Sequence, residues 1–295
     1  MKIRIGIGTG AAGLDGTALA RLADDLVDLG FDSLWLPEIL TGDGADPLVG
    51  LAWAGAHNRR LKLGTTMLLP GRNPVRLAKQ VAALDALSDG RFLVTFVPGL
   101  AQGPERDAVG VAPAGRGAAF DEVLPLLRRL WAGGRVTHDG PAGRFADVSV
   151  SPLPVQDPFD VWLGGLARST LERCGRLADG WLPALCGPAE AAAGRRVVDE
   201  AAEAAGRAIS PEHFGMSIGY ARTALDDRVA AALSARARGR PLDDLVPVGP
   251  DALRDLLHRF IAVGFSKFVL RPLDPPADWR EELEHLAAAV GDLQT

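Results

Sequence analysis

A pair of glycines followed by a polar helix start offers the most specific chemistry in the sequence. The segment WLGGLARSTLERCGRLADGWLP ends an apolar strand at Gly164-Gly165 and begins a helix near Ala167, Arg168 and Ser169. Paired glycines let an anion approach backbone N–H groups, and the N-terminus of a helix attracts negative charge. Arg168 and Ser169 add side-chain donors. The pattern predicts a phosphate site, and a strand-to-helix turn that needs glycine only for its backbone is the alternative.

A single carboxylate, Glu38, follows the second apolar strand, FDSLWLP. Burial at a strand end would raise its pKa and allow it to donate a proton. A solvated loop carboxylate is the other interpretation, and the sequence leaves both open.

The remaining composition restricts the class of protein. With 32 basic and 37 acidic residues the net charge is −5, which argues against a nucleic-acid partner or an anionic membrane surface. The two cysteines, Cys174 and Cys186, make neither a metal cluster nor a disulfide framework, and the five histidines share no metal-ligand spacing. No apolar run approaches the ~20 residues that span a bilayer. We therefore expect a cytoplasmic protein that binds a small-molecule substrate and no metal.

The strand, helix and strand of the segment from Leu61 to Gly99 predict the unit that positions such groups. Leu61–Thr66 and Phe92–Val97 are short and apolar, as buried strands are. Between them Asn73 is predicted to cap a helix that has Pro74 at its first position. Two buried strands joined through a helix make a parallel βαβ unit. The C-terminal ends of its strands then lie side by side, where ligands bind in such folds.

Eight strand–helix pairs alternate along the chain. This alternation predicts an α/β protein with a closed (β/α)8 TIM barrel, as a single domain over residues 1–295. A short hairpin or loop is expected as an insertion before strand five, between about Gly133 and Gln156. An open doubly wound sheet is the alternative. GIGTGAAG superficially offers its glycine-rich turn, but no acidic residue ends strand two in the context that such a fold requires.

Several motifs resemble the bacterial-luciferase-like flavin and deazaflavin oxidoreductases. They are LGTTMLL, RNPVRLAKQVAALDALSDGR, ADGWLP and VGPDALRDLLHRFIAVGFSKFVLRPL. The resemblance implies a barrel that binds coenzyme F420 or, alternatively, FMN. It further implies an oxidoreductase that transfers hydride between coenzyme F420 and an organic substrate. An FMN-dependent monooxygenase and a non-catalytic ligand-binding member of the same fold are the alternative functions.

The resemblance also assigns roles to individual residues. It implies a non-prolyl cis peptide bond between Thr66 and Met67, next to Thr65, that backs the cofactor ring. Pro98 and Gly99 stand where the family has a glycine-rich strand end, and Gly164 to Ser169 match its phosphate-binding segment. Pro37-Glu38 replaces the family's Asp-His pair, so Glu38 is the candidate catalytic acid.

Three further expectations concern the surroundings of the site. The resemblance implies a homodimer that pairs through helices two and three, where Trp53 and Leu77 are candidates for the outer surface. His138, in the inserted segment, is expected as a candidate to reach over the barrel mouth. Arg116 is expected to cap its helix or to pair with Asp121 or Glu122.

Overall fold

Eight parallel strands form the central sheet of the structure, a computed structural model that describes residues 1–100, 103–237 and 239–295. In chain order they are β1 (Arg4–Gly8), β2 (Ser33–Pro37), β3 (Lys62–Leu68), β4 (Phe92–Val97), β7 (Val161–Leu163), β8 (Gly180–Trp181), β9 (Gly215–Tyr220) and β10 (Lys267–Pro272). They lie in the order β8-β7-β4-β3-β2-β1-β10-β9. Parallel bridges from Trp181 to Phe214 and from Ala184 to Ser217 bring the two edges together. The predicted (β/α)8 barrel is confirmed.

Ten α-helices in the described part of the chain surround the strands or cross their ends. They are α1 (Gly16–Asp28), α2 (Pro47–His57), α3 (Pro74–Leu87), α4 (Pro104–Ala108), α5 (Arg116–Trp131), α6 (Arg168–Leu177), α7 (Pro188–Ala204), α8 (Asp227–Ala237), α9 (Pro250–Ala262) and α10 (Trp279–Val290). The short α4 interrupts the simple alternation of strands and helices, because it comes before α5 in the connection that follows β4. Among the described helices, none has both the length and the apolar composition that a bilayer crossing requires.

The helices that follow β1, β2 and β3 begin with side-chain caps. The Asp15 carboxylate accepts from the Ala18 N–H at 2.8 Å, and Asp46 accepts from the N–H groups of Leu48 and Val49. Asn73 accepts from the Arg76 N–H at 3.0 Å, which confirms the predicted cap of α3. Such caps satisfy N–H groups that the helix itself cannot pair.

The strands separate an inner from an outer layer of side chains. Alternate residues of each strand face the helices and form the main apolar core, as Ile5 and Ile7 do on β1. The other set fills the barrel, where Trp35, Trp162 and Val269 share a smaller cluster. Leu77 belongs to the outer core and is 1% exposed, so its predicted place on the dimer surface is wrong.

The predicted insertion is an antiparallel hairpin of β5 (Val136–Gly140) and β6 (Gly143–Val148). It connects the C-terminal end of α5 to the N-terminal end of β7, so it leaves the barrel on the side opposite the strand C-termini. His138 in β5 lies 2.8 Å from Glu122 on α5, and Glu122 also accepts from the Ala142 N–H. The expectation that His138 reaches the mouth is therefore wrong, because this contact fixes it against the side of α5.

Candidate active site

The turn between β7 and α6 presents a row of backbone donors at the barrel mouth. Gly164 donates its N–H to the Phe96 carbonyl at 3.0 Å and so ends the pairing with β4. The next five N–H groups, those of residues 165–169, have no hydrogen-bond acceptor among the described residues. Ala167, at the N-cap position, has no side-chain oxygen that could fill this role. The predicted phosphate segment thus has the donors that an anion requires.

Two contacts hold this turn in shape. Trp181 donates its indole N–H to the Gly165 carbonyl at 3.0 Å, and Gly165 has φ +121°, which a side chain would strain. Arg168 extends into solvent, where its guanidinium lies 2.8 Å from Glu172. Ser169 is exposed in the first turn of α6. Both residues belong to the row of open N–H groups, and the Ser169 hydroxyl can add a donor to a bound anion, whereas Arg168 adds one only if it leaves Glu172.

The end of β4 is fixed from behind by Arg116. This residue is only 3% exposed and donates from one guanidinium nitrogen to the carbonyls of Pro98 and Leu100, at 3.0 and 2.6 Å. It also donates to the carbonyls of Val111 and Arg106. The expected pairing of Arg116 with Asp121 or Glu122 is wrong, since these backbone oxygens use its donors and Arg173 pairs with Asp121. Pro98 and Gly99 stay partly exposed at the mouth.

The three predicted residues of β3 point in two directions. Thr65 and Met67 are fully buried on the helix-facing side, and the Thr65 hydroxyl donates to the Leu36 carbonyl at 2.7 Å. Thr66 is partly exposed on the other side, toward the barrel interior. The bond between Thr66 and Met67 is trans, because the cis bonds of the described residues precede Pro152 and Pro158. The expected cis peptide is therefore wrong, and regular pairing with β4 continues through Met67.

The Glu38 side chain is buried and hydrogen-bonded, and is not solvated. Its carboxylate is 5% exposed, forms an ion pair with Arg72 and accepts from the Leu68 N–H at 2.7 Å. Arg72 also donates to the Leu68 carbonyl at 2.8 Å. Burial raises the pKa of Glu38 above its ordinary value, while the Arg72 charge and the Leu68 N–H act to lower it. Glu38 thereby ties the ends of β2 and β3 together.

Sequence reasoning missed two residues of the mouth, Arg72 and Glu105. Arg72 precedes the predicted cap of α3, where nothing in the pattern marks it as the partner of Glu38. Glu105, in α4, accepts from the Thr41 N–H at 2.7 Å and from the Thr41 hydroxyl at 2.6 Å, and so connects α4 to the loop after β2. Both contacts join chain segments more than 30 residues apart. Sequence spacing carries no signal for such pairs.

Together these features define a class of protein: a parallel barrel that presents a turn of open N–H donors and a partly polar mouth at the C-terminal ends of its strands. Comparison with known protein families identifies the family of the chain. The model of the luciferase-like monooxygenase family matches residues 1–288, so the chain belongs to this family.

Three known proteins illustrate what the chain is similar to. An F420-dependent glucose-6-phosphate dehydrogenase of Kineococcus radiotolerans is 29% identical over 175 residues, which are 56% of this chain and 51% of that protein. The structure of an F420-dependent secondary alcohol dehydrogenase with an F420-acetone adduct superposes with a TM-score of 0.84 at 18% identity over all of both chains. A Baeyer-Villiger monooxygenase structure from Pseudomonas putida with FMN gives 0.75 at 15% identity, covering 100% of this chain and 99% of that one.

Proposed function

We propose that this protein is an oxidoreductase that uses coenzyme F420, with FMN as the alternative, to transfer hydride to or from a small organic substrate. One observation carries the proposal: five consecutive N–H groups at the mouth, residues 165–169, lack a protein acceptor. A phosphate-bearing cofactor fits these donors, because an anion can accept several of them at once. The names of two similar proteins mention F420, which favours it over FMN.

The chain would hold such a cofactor from two sides. The N–H groups of residues 165–169, with Arg168 and Ser169, would bind its phosphate. Thr66, Pro98 and Gly99 would line the mouth above the barrel interior. The redox chemistry is that of the cofactor, and the protein supplies binding and orientation.

Glu38 remains our candidate for moving a proton. Its raised pKa keeps it closer to the working range of an acid than a solvated carboxylate. The ion pair with Arg72 gives Glu38 a second, structural role, because it fixes the strand ends. A mutational test must distinguish this structural role from proton transfer.

Titration of the purified protein with coenzyme F420 and with FMN, followed by fluorescence quenching, tests the cofactor. We expect saturable binding of F420 and weaker binding of FMN. Tighter binding of FMN would favour the monooxygenase alternative, and binding of neither would contradict the proposed oxidoreductase.

The variant Ser169→Asp tests the phosphate anchor. A carboxylate in the first turn of α6 stabilises the helix but repels a phosphate at the same N–H groups. Cofactor affinity should fall at least tenfold, about 1.4 kcal/mol, while the melting temperature should not decrease. Ser169→Ala is the matched control without the charge and should bind within about threefold of the wild type, or about 0.6 kcal/mol. Unchanged cofactor affinity in a folded Ser169→Asp protein would mean that this turn does not bind the cofactor phosphate.

We also propose that the protein is a homodimer. Val49 and Trp53 are 68% and 57% exposed on one side of α2, and large apolar residues at a surface mark interaction sites. Light scattering at micromolar concentration should give twice the chain mass, and Trp53→Glu should give a single chain. A wild-type mass of one chain contradicts this proposal.

The location we propose is the cytoplasm. Cys174 and Cys186 are both buried and unbridged, and burial raises the pKa of each thiol, that of Cys186 to about 12. Such cysteines are compatible with a reducing compartment. Recovery of the native protein in the soluble cytoplasmic fraction of its source cells is the expected result.

A further inference from the structure

A second positive site lies across the barrel mouth from the β7–α6 turn, at the end of β10. Arg271 is in register with Gly219 of β9, and it follows Val269 at the spacing that faces the barrel interior. In the closed ring of strands, β10 is three strands away from β7, through β8 and β9. Arg271 thus faces the same mouth as the proposed phosphate anchor, from another side.

Glycines on both neighbouring strands make room for the Arg271 side chain. A Cβ atom added at Gly10, which follows β1, would lie 3.3 Å from Arg271 Cγ. A Cβ atom added at Gly219 would lie 3.2 Å from Arg271 Nη2. The long cation therefore crosses a space that ordinary side chains on either strand would fill.

The charges around Arg271 are unusual. Within the described parts of the chain its guanidinium has no carboxylate partner, unlike that of Arg72 or Arg173. Burial, followed by the positive charge of Arg236 in the last turn of α8, lowers the pKa of Arg271 to about 10, so it remains a cation at neutral pH. Leu233 and Ala237 of α8 share an apolar cluster with Leu273, so the last turn of α8 lies beside the end of β10. Arg271 is half-buried and Arg236 is exposed, so an anion can reach both guanidinium groups and would offset the repulsion between their charges.

We propose that Arg271 and Arg236 bind a carboxylate or phosphate group of the substrate at the barrel mouth. That the anion belongs to a substrate rests on the proposed function, whereas the binding of an anion by these arginines does not. Guanidinium groups bind such oxyanions through paired N–H donors. The β7–α6 turn already supplies donors for the cofactor phosphate, so a second anion site on the other side suits the molecule that meets the cofactor. An anionic group of the cofactor is the other source of the same chemistry.

Inorganic phosphate is the probe for the anion site, and calorimetric titration is the measurement. The experiment uses the full chain carrying Ser169→Asp, which removes the turn as a competing site. We expect saturable phosphate binding in this background. Adding Arg271→Met should weaken the binding at least tenfold, and Arg271→Lys should retain part of it. Arg228→Met, an exposed arginine of the same helix as Arg236, is the matched control and should change nothing.

Two further measurements keep the outcome decisive. Without phosphate, Arg271→Met should melt no lower than its parent, because it removes a cation that lacks a partner. If that variant fails to fold, Arg236→Met should show the same loss of phosphate binding. Phosphate affinity that is unchanged in folded Arg271→Met or Arg236→Met overturns the proposal.

Cofactor titration separates the two sources of the anion. Arg271→Met in the otherwise unchanged protein should bind coenzyme F420 with wild-type affinity, as expected if the substrate supplies the anionic group. A tenfold loss of cofactor affinity would assign the anion to the cofactor and overturn the substrate assignment. Failure of the proposed function looks different: the wild type would then bind neither F420 nor FMN, whatever the phosphate result.

Discussion

Two corners of the barrel mouth use polar groups in opposite ways. At the β2–β3 corner, Glu38 and Arg72 satisfy each other and the backbone of Leu68. At the β7–α6 turn, the N–H groups of residues 165–169 have no partner among the described residues. The first arrangement stabilises the folded chain by itself, whereas the second leaves its donors free for solvent or for a ligand. Polar residues at a strand end are therefore not equivalent evidence of a ligand site.

The same contrast separates two kinds of mutational effect. A change in a satisfied cluster leaves its remaining members buried without partners, so stability falls. A change among open donors alters nothing that the folded chain depends on, unless the backbone itself is strained there. The predictions below test this division, in order of their expected effect on the free energy of unfolding.

Arg72→Met should have the largest effect. It leaves the Glu38 carboxylate almost fully enclosed without its cation, and breaking such a pair costs about 3 kcal/mol. Chemical denaturation at neutral pH measures the loss. Arg76→Met, which changes an exposed arginine two positions into α3, should stay within about 0.5 kcal/mol of the wild type. A loss as small as that of the control would mean that the corner is not held by this pair.

The loss in Arg72→Met should depend on pH. The folded pKa of Glu38 is already raised above its ordinary 4.5, and removal of the Arg72 charge raises it further. For an acid with a raised folded pKa, stability is greatest below the unfolded pKa and declines as pH rises through the folded value. The variant should therefore be closer to the wild type at pH 5 than at pH 8. An equal deficit at both values contradicts a charged Glu38 as the cause.

The local structure of one corner is easier to read from the sequence than that of the other, for a physical reason. The open donors from Gly165 to the start of α6 belong to one short segment, so glycine chemistry and helix polarity are readable from neighbouring residues, although the Gly164 N–H is used by the Phe96 carbonyl. Glu38 was predicted at the mouth, but its environment was left open because Arg72 comes from a different strand end. The prediction for Arg116 failed for a different reason: its acceptors are backbone carbonyls of the loop before α5, and no residue pattern marks a carbonyl as an acceptor.

The barrel itself was predictable because alternation of strands and helices repeats over the whole chain. The trans bond at Thr66-Met67 and the buried positions of Thr65 and Met67 were not. A resemblance carries over residue types, while backbone isomer and side-chain direction depend on packing against β2 and α3. Arg271 was not predicted as a site residue either, since its neighbours include glycines and a cation, Arg236, that is far away in the sequence.

Gly165→Ala should have the second largest effect. Gly165 has φ +121°, and a Cβ atom there would lie 3.1 Å from Thr170 Cγ2, so we expect a loss of about 2 kcal/mol. Gly206→Ala is the matched control, because Gly206 also has a positive φ of +67° but nothing within 4 Å of an added Cβ. It should lose about 1 kcal/mol. Cofactor affinity should fall in Gly165→Ala alone, since only this change redirects the open N–H groups. Equal cofactor affinity in both variants would mean that the β7–α6 turn takes no part in cofactor binding.

Glu38→Gln should have the smallest effect on stability. It is also the variant that best decides whether the β2–β3 corner is purely structural. Glutamine keeps the shape and one carbonyl acceptor for Leu68 or Arg72, so the free energy of unfolding at neutral pH should stay within about 1 kcal/mol of the wild type. It cannot titrate, so the decline of wild-type stability above pH 4.5 should flatten. Cofactor affinity should be unchanged, because Glu38 lies outside the β7–α6 turn. If Glu38 moves a proton, turnover should fall by about 100-fold or more, and its pH profile should lose one ionisation. Wild-type turnover with an unaltered pH profile would restrict Glu38 to holding the strand ends together, which would make the β2–β3 corner wholly structural.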